Sequence, residues 1–159
     1  MKINIGKYNK KGDQKVSIKL DSWDTFSADH TLARIIHPML VAYKAAVEGK
    51  GTPCCSFDED VPVHLKSTIG IIDGGGDAEE KLQIEQWDWI LCEMIWAFSE
   101  HVSEEGDSIF FDHPENNTKE YHPDDYKKIK IDHKGLEAYH DRKQKGFQLF
   151  GKYFNALWR

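Results

Sequence analysis

The sequence has few cysteines and no long apolar run, and both shortages limit what the protein can be. Its three cysteines, Cys54, Cys55 and Cys92, have a spacing that suits neither a disulfide framework nor a zinc site. No stretch approaches the ~20 apolar residues needed to cross a bilayer, and the first residues lack the apolar segment of a signal peptide. We therefore expect free thiols and a soluble cytoplasmic protein with no membrane partner.

Basic residues are fewer than acidic ones, and most of them lie near the two ends of the chain. Lys and Arg number 9 against 5 Asp and Glu in residues 1–53, 3 against 19 in residues 54–125, and 9 against 3 in residues 126–159. A duplex-DNA binder needs an extended basic face, so this pattern excludes duplex DNA as a partner. The basic ends either neutralise the acidic middle within one fold or bind a small anion.

The chain does have enough apolar residues for a core, and their periodicity predicts the fold. At 159 residues, of which 40% are hydrophobic, it is expected to form a single domain over residues 1–159. Alternation predicts an N-terminal β-hairpin from residues 2–5 and 15–20, and helical spacing predicts helices at about 28–43, 78–104 and 134–158. Residues 49–77 lack periodicity and indicate a long irregular loop. The sequence thus predicts an α+β fold in which the hairpin packs on about three helices.

Further expectations concern how these elements meet. The first helix, capped by Ser27 or Asp29, should cover one face of the hairpin and continue through Pro38 with a kink. Residues 109–111 and 126–131 look like short strands, and the second could pair with the hairpin. The second helix should be central. Gly146 and Gly151 interrupt the last helix, where one of them permits close packing or a break.

No high-specificity catalytic signature is present, and the histidines do not form an obvious metal site. The chain contains no Walker loop, no His-Glu-x-x-His and no Gly-x-Ser-x-Gly, so we predict no catalytic residue and no cofactor. Among eight histidines, His30 and His37 are seven residues apart, as are His133 and His140. Seven residues along a helix place two rings too far apart for one ion, so we also predict no metal.

Three segments carry groups that could bind a small ligand. Around Trp23, the strand-to-helix junction serves either as a cap and staple or as an anion site with a stacking indole and the carboxylate of Asp24. Helical spacing places Trp89, Glu93, Trp96 and Glu100 on one face, where we expect Glu93 to be buried and Glu100 to lie at a solvated edge. Cations alternate with aromatic residues along the last helix, a pattern typical of an amphipathic core helix and also suited to a nucleotide. The predicted ligand-binding residues are Trp23, Asp24, Asp29, His30, Arg34, Glu93, Trp96, His140, Arg142 and Lys145.

Four motifs, in order, resemble a family of small conserved proteins of tailed bacteriophages. They are WDTFSADHTLA at residues 23–33, FDEDVP at 57–62, WDWILCEMIWAF at 87–98 and KGFQLFGKYFNALW at 145–158. The family has no agreed activity, but small accessory phage proteins often blunt host defences, several of which signal with cyclic or ADP-ribose-derived nucleotides. The resemblance therefore implies an anti-defence protein of the infected host's cytoplasm that binds and sequesters such a nucleotide, and that could form a homo-oligomer.

Two alternatives remain open at this point. One is a phosphodiesterase-like enzyme that degrades the same nucleotides with histidine and carboxylate groups. The other is an inhibitor of a host protein, in which the acidic middle of the chain docks on a basic partner.

Overall fold

The computed structural model describes residues 1–48, 50, 52–53, 57–67, 76–103, 105–112 and 129–158. In chain order the elements are β1 (Lys2–Tyr8), β2 (Gln14–Lys19), α1 (Ser22–Phe26), α2 (Ala28–Val47), α3 (Asp77–Val102), β3 (Phe111–Asp112), β4 (Lys130–Ile131) and α4 (His133–Tyr153). Single 3-10 turns occupy Val63–Leu65, Gly106–Phe110 and Phe154–Ala156. The predicted α+β class is confirmed. None of the helices described is both long and apolar enough to cross a membrane.

Helix α3 lies at the centre of the protein, as predicted. It packs against α2 on one side and against α4 on the other. Its side chains Ile90, Leu91 and Met94 are fully buried. Each such residue contributes roughly 1.5 to 3 kcal/mol by leaving water, so this layer of three helices holds most of the apolar core. From the flanking helices the core takes Ala33, Leu40, Leu149 and Tyr153.

The contact between α3 and α4 depends on Gly146. A Cβ atom at this position would lie 2.4 Å from the Cβ of Ala97 and 2.7 Å from the carbonyl oxygen of Glu93. Only a glycine lets the two backbones approach this closely. At Gly151 a Cβ would meet nothing within 4 Å. The predicted close packing therefore occurs at Gly146.

The N-terminal hairpin forms in the predicted place. Strands β1 and β2 pair antiparallel, with Ile3 opposite Ile18 and Ile5 opposite Val16. However, Ile5, Val16 and Ile18 are each more than half exposed, so the expected cover by α2 does not reach them. The reason is that α2 packs on α3 and has few contacts with the hairpin.

The starts of α1 and α2 also differ from the expectation. Asp21, which was not singled out, caps α1, because its side chain accepts from the backbone N–H groups of Trp23 and Asp24. Ser27 occupies the predicted N-cap position of α2, but its side chain makes no cap hydrogen bond. Helix α2 then continues through Pro38 as one helix to Val47.

One further segment departs from the prediction, and the predicted loop contributes a residue to the core. Strand β4 pairs with β3 and not with the hairpin, because the backbone N–H of Asp132 bonds the carbonyl of Phe110 and holds β4 beside the preceding turn. Residues 126–128 of the predicted strand lie outside the described residues. Within the predicted irregular loop, Phe57 is buried and its ring lies 5.4 Å from that of Trp87. Residues 49, 51, 54–56 and 68–75 of this loop are outside the described part.

Candidate functional site

Four of the predicted ligand residues meet where α3 packs on α4. The Arg142 guanidinium donates two hydrogen bonds to the Glu93 carboxylate, at 2.9 and 2.8 Å, and lies 3.9 Å from the centroid of the Trp96 ring. One turn further along α4, the ammonium of Lys145 lies 5.0 Å from the ring centroid of Trp89. We call these five residues the α3–α4 face. Two indoles and two cations, predicted separately on two helices, thus lie together.

The pairing of Glu93 with Arg142 follows from burial. The Glu93 side chain is only 10% exposed, whereas that of Arg142 is 50% exposed. A buried carboxylate needs a hydrogen-bonded cation, and the bidentate guanidinium supplies one. The hydrogen bond with Glu93 raises the pKa of Arg142. The prediction of a buried polar role for Glu93 is confirmed.

Glu100 does not lie at the solvated edge that we expected. It is half-buried and accepts a hydrogen bond from the hydroxyl of Tyr139 at 3.1 Å. Burial and this contact raise the pKa of Tyr139 to about 12. The Tyr139 ring also meets Trp96 edge-on, with centroids 5.6 Å apart. Because α4 packs on α3, Glu100 lies in the contact between the two helices.

A groove between α2 and α3 reaches Trp96 as well. It is open to solvent, and its volume is about 560 Å³. Its polar groups include Lys44 and Ser99, and its apolar lining is Val41, Ala45, Ile95 and Trp96. A second cavity of about 390 Å³ shares Lys44 and Glu48 with the first, so the groove extends along both helices.

The groove contains one cation, Lys44, and one thiol, Cys92, and both have raised pKa values. Lys44 is paired with Asp88, and this hydrogen bond raises the pKa of Lys44. Although Cys92 is exposed overall, the partial desolvation of its thiol raises the pKa of that group, so the thiol is neutral near pH 7. Cys92 is a free cysteine, as predicted, whereas Cys54 and Cys55 lie outside the described residues.

His140 lies apart from the α3–α4 face, although it is on the same helix as Arg142. One of its ring nitrogens is 2.8 Å from a carboxylate oxygen of Asp107, and Lys143 approaches the other oxygen at 3.5 Å. The hydrogen bond to His140 is the main cause of the lowered pKa of Asp107. His140 therefore ties α4 to the Gly106–Phe110 turn.

The junction residues Trp23 and Asp24 belong to α1. Trp23 is 76% exposed and meets Phe26 edge-on at 5.7 Å. The Asp24 carboxylate accepts from the amino group of Met1 and from the backbone N–H of Asp21, both at 2.9 Å. The contact with Met1 is the largest cause of the lowered pKa of Asp24. Both oxygens of Asp24 are thus already engaged within the chain.

Asp29 and His30 form a separate cluster with a residue that the sequence reasoning missed. A ring nitrogen of His101, in the last turn of α3, lies 2.9 Å from a carboxylate oxygen of Asp29. The rings of His30 and His101 stack with centroids 4.6 Å apart. One ligand atom from each of the three residues lies within 4.8 Å of the others, so they could hold a metal ion. Arg34, one turn further along α2, is exposed.

Lys44 and His101 were not among the predicted site residues, because their neighbours in the sequence give no sign of a site. Lys44 contributes to the groove only once α2 packs on α3, and His101 meets Asp29 across 72 residues. Comparison with protein-family models, with curated proteins and with solved structures finds no match to this chain.

Proposed function

We propose that this protein binds and sequesters a nucleotide at Trp96, between the α2–α3 groove and the α3–α4 face. The observation that carries the proposal is the position of this indole, which lines an apolar groove of about 560 Å³ and also contacts the Arg142 guanidinium at 3.9 Å. An aromatic side chain that contacts a base contributes roughly 1 to 3 kcal/mol. Guanidinium and ammonium groups bind phosphate by charge-assisted hydrogen bonds.

The nearby cations can meet a phosphate without losing their present contacts. Arg142 uses two N–H groups for Glu93, whereas a guanidinium carries five. Lys145 is exposed, and its ammonium faces the Trp89 ring. We therefore assign phosphate recognition to Lys145 and to the remaining N–H groups of Arg142.

The resemblance to tailed-phage proteins supports the choice of ligand. Trp89, Glu93 and Trp96 lie within the third of the four motifs, and Lys145 begins the fourth. The proposed ligand is a cyclic or ADP-ribose-derived nucleotide used in host defence, bound in the cytoplasm of the infected cell.

Release of the nucleotide by heat tests this proposal. The purified protein is incubated with cyclic dinucleotides and cyclic ADP-ribose isomers, separated from free ligand, heated and analysed by chromatography with mass detection. Recovery of an intact nucleotide only after heating supports sequestration. Product formation would establish an enzyme instead, and the absence of any bound nucleotide would favour a protein partner.

Variants then locate the site. Lys145→Ala and Trp96→Leu should each weaken binding of the recovered nucleotide about tenfold or more. The lysine would lose a charge-assisted hydrogen bond of roughly 1.5 to 3 kcal/mol, and the tryptophan a base contact of roughly 1 to 3 kcal/mol. Lys143→Ala is the matched control, because Lys143 is also on α4 but approaches Asp107. Equal affinities in all three variants would place the nucleotide elsewhere.

We also propose that the protein forms a homodimer through the hairpin. Within the described chain no strand other than β1 and β2 joins this sheet, and a two-stranded hairpin is only marginally stable in water. Exposed Ile5, Val16 and Ile18 would be covered if two hairpins met about a two-fold axis.

Light scattering after gel filtration should give twice the chain mass for the wild type and for the turn control Lys10→Glu, and the mass of one chain for Ile18→Glu. A monomeric wild type would refute the homodimer.

A further inference from the structure

The first turn of α2 and the last turn of α3 bring together two imidazoles and a carboxylate. Asp29 and His30 come from α2, and His101 comes from α3. The bond lengths of a zinc site, roughly 2.0 to 2.2 Å to nitrogen or oxygen, require neighbouring ligand atoms about 3.3 Å apart in a tetrahedron. The nitrogen of His101 and the oxygen of Asp29 are already 2.9 Å apart.

The cluster combines one fixed ligand with two accessible ones. The His101 ring packs edge-on against Phe147, with centroids 5.4 Å apart, and its side chain is only 21% exposed. Asp29 and His30 are both exposed, so an ion can reach them from solvent. A ligand nitrogen of His30 lies within 4.8 Å of the other two ligand atoms, and the exposed His30 ring must rotate out of its stack on His101 for one ion to bind all three residues.

We propose that Asp29, His30 and His101 bind one divalent transition-metal ion of the zinc class. Two imidazoles and one carboxylate form a donor set suited to such an ion, and three protein ligands leave at least one position for water or for an anionic ligand. The ion takes the place of the hydrogen between His101 Nε2 and Asp29, so that His101 binds it as a neutral imidazole with its proton on Nδ1. The bound ion links α2 to α3 across their ends.

This proposal runs against the sequence-based prediction that the chain holds no metal. That prediction rested on pairs seven residues apart within one helix, such as His30 and His37. The proposed site instead combines neighbours on α2 with a residue that is 72 positions from Asp29. The distance between His30 and His37 along the helix has no bearing on it.

Titration of the metal-free protein with Zn²⁺ tests the site, with calorimetry to measure affinity and stoichiometry. We expect one equivalent to bind and to raise the melting temperature, since a ligand that prefers the folded state stabilises it. Asp29→Asn and His101→Gln should each weaken binding at least tenfold. His37→Gln, on α2 but outside the cluster, and Asp107→Asn, which removes the carboxylate beside His140, are matched controls expected to retain wild-type affinity.

A spectroscopic readout keeps the test valid if His101→Gln folds poorly. In a long-range ¹⁵N–¹H spectrum of the wild-type histidine rings, one equivalent of Zn²⁺ should shift the signals of His30 and His101 and leave His37 and His140 unchanged. Shifts confined to other rings would overturn the proposal. Wild-type affinity in Asp29→Asn, or the absence of stoichiometric binding by the wild type, would overturn it as well.

Discussion

Removal of the Arg142 guanidinium should destabilise the fold as well as any ligand complex. Exposed ion pairs contribute roughly 0 to 1 kcal/mol, whereas loss of one partner from a fully buried pair costs roughly 3 to 5 kcal/mol. Glu93 is 10% exposed and Arg142 is 50% exposed, which places this pair between the two limits. We expect Arg142→Ala to lower the free energy of unfolding by about 2 to 3 kcal/mol, including about 0.5 to 1 kcal/mol for the lost contact with Trp96.

Urea unfolding, followed by tryptophan fluorescence and circular dichroism, measures this change. For a protein of this size the melting temperature should fall by about 5 to 9 °C. The matched control is Lys145→Ala, one turn away on α4, where a cation faces an indole; it should cost less than about 1 kcal/mol.

A second variant separates the buried charge from simple loss of packing. In the double variant Glu93→Gln, Arg142→Ala, no carboxylate remains to be buried without a partner, so about 1 kcal/mol should be recovered relative to Arg142→Ala alone. Equal stability of Arg142→Ala and Lys145→Ala would refute the reasoning, as would a double variant no more stable than Arg142→Ala.

Three further predictions concern packing and protonation. Gly146→Ala should lower the free energy of unfolding by about 1 to 3 kcal/mol in the same urea assay, because the new Cβ would lie 2.4 Å from the Cβ of Ala97. Gly151→Ala is the matched control: its Cβ would meet nothing within 4 Å, so this variant should be more stable by up to about 1 kcal/mol. Burial would raise the pKa of Asp60, but hydrogen bonds from Lys152 and Tyr153 outweigh burial and lower the pKa below 3.8. The ionised Asp60 therefore stabilises the folded state fully above pH 3.8, and this contribution is lost as the pH falls through the folded pKa. Asp60→Asn should flatten the decline in stability below about pH 4. The pKa of Tyr139 rises from 10.0 to about 12, so its contribution is complete below 10.0 and is lost as the pH rises toward 12. Ultraviolet titration should show a late phenolate near pH 12, and its persistence in Tyr139→Phe would contradict the assignment.

Secondary structure could be predicted where it depends on local periodicity and not where it depends on distant partners. The hairpin and the three long helices could be predicted because their apolar periodicity is a local property of the chain. Helix α1 was missed because its five residues, Ser22–Phe26, are too few to show a period, and the segment was interpreted as a strand-to-helix junction. The pairing of β4 with β3 was missed because two-residue strands carry no register of their own.

In the candidate site, too, the sequence could indicate individual side chains but not their partners. Residue type and helical spacing were enough to select Trp96, Glu93 and Arg142 and to predict that Glu93 is buried. They could not show that Arg142 binds Glu93, 49 residues away, since the choice of partner depends on how α4 lies on α3. Gly146 sets that distance, because only a residue without a Cβ fits against Ala97.

The sequence by itself determined which segments become the hairpin and the long helices, and where apolar and charged residues alternate along them. Only the tertiary structure decided which side chains meet: Arg142 with Glu93, Lys44 beside Trp96 in a groove, and His101 with Asp29. The physical reason is that local propensity acts over a few residues, whereas ion pairs, grooves and ligand clusters arise from the packing of helices distant in the chain.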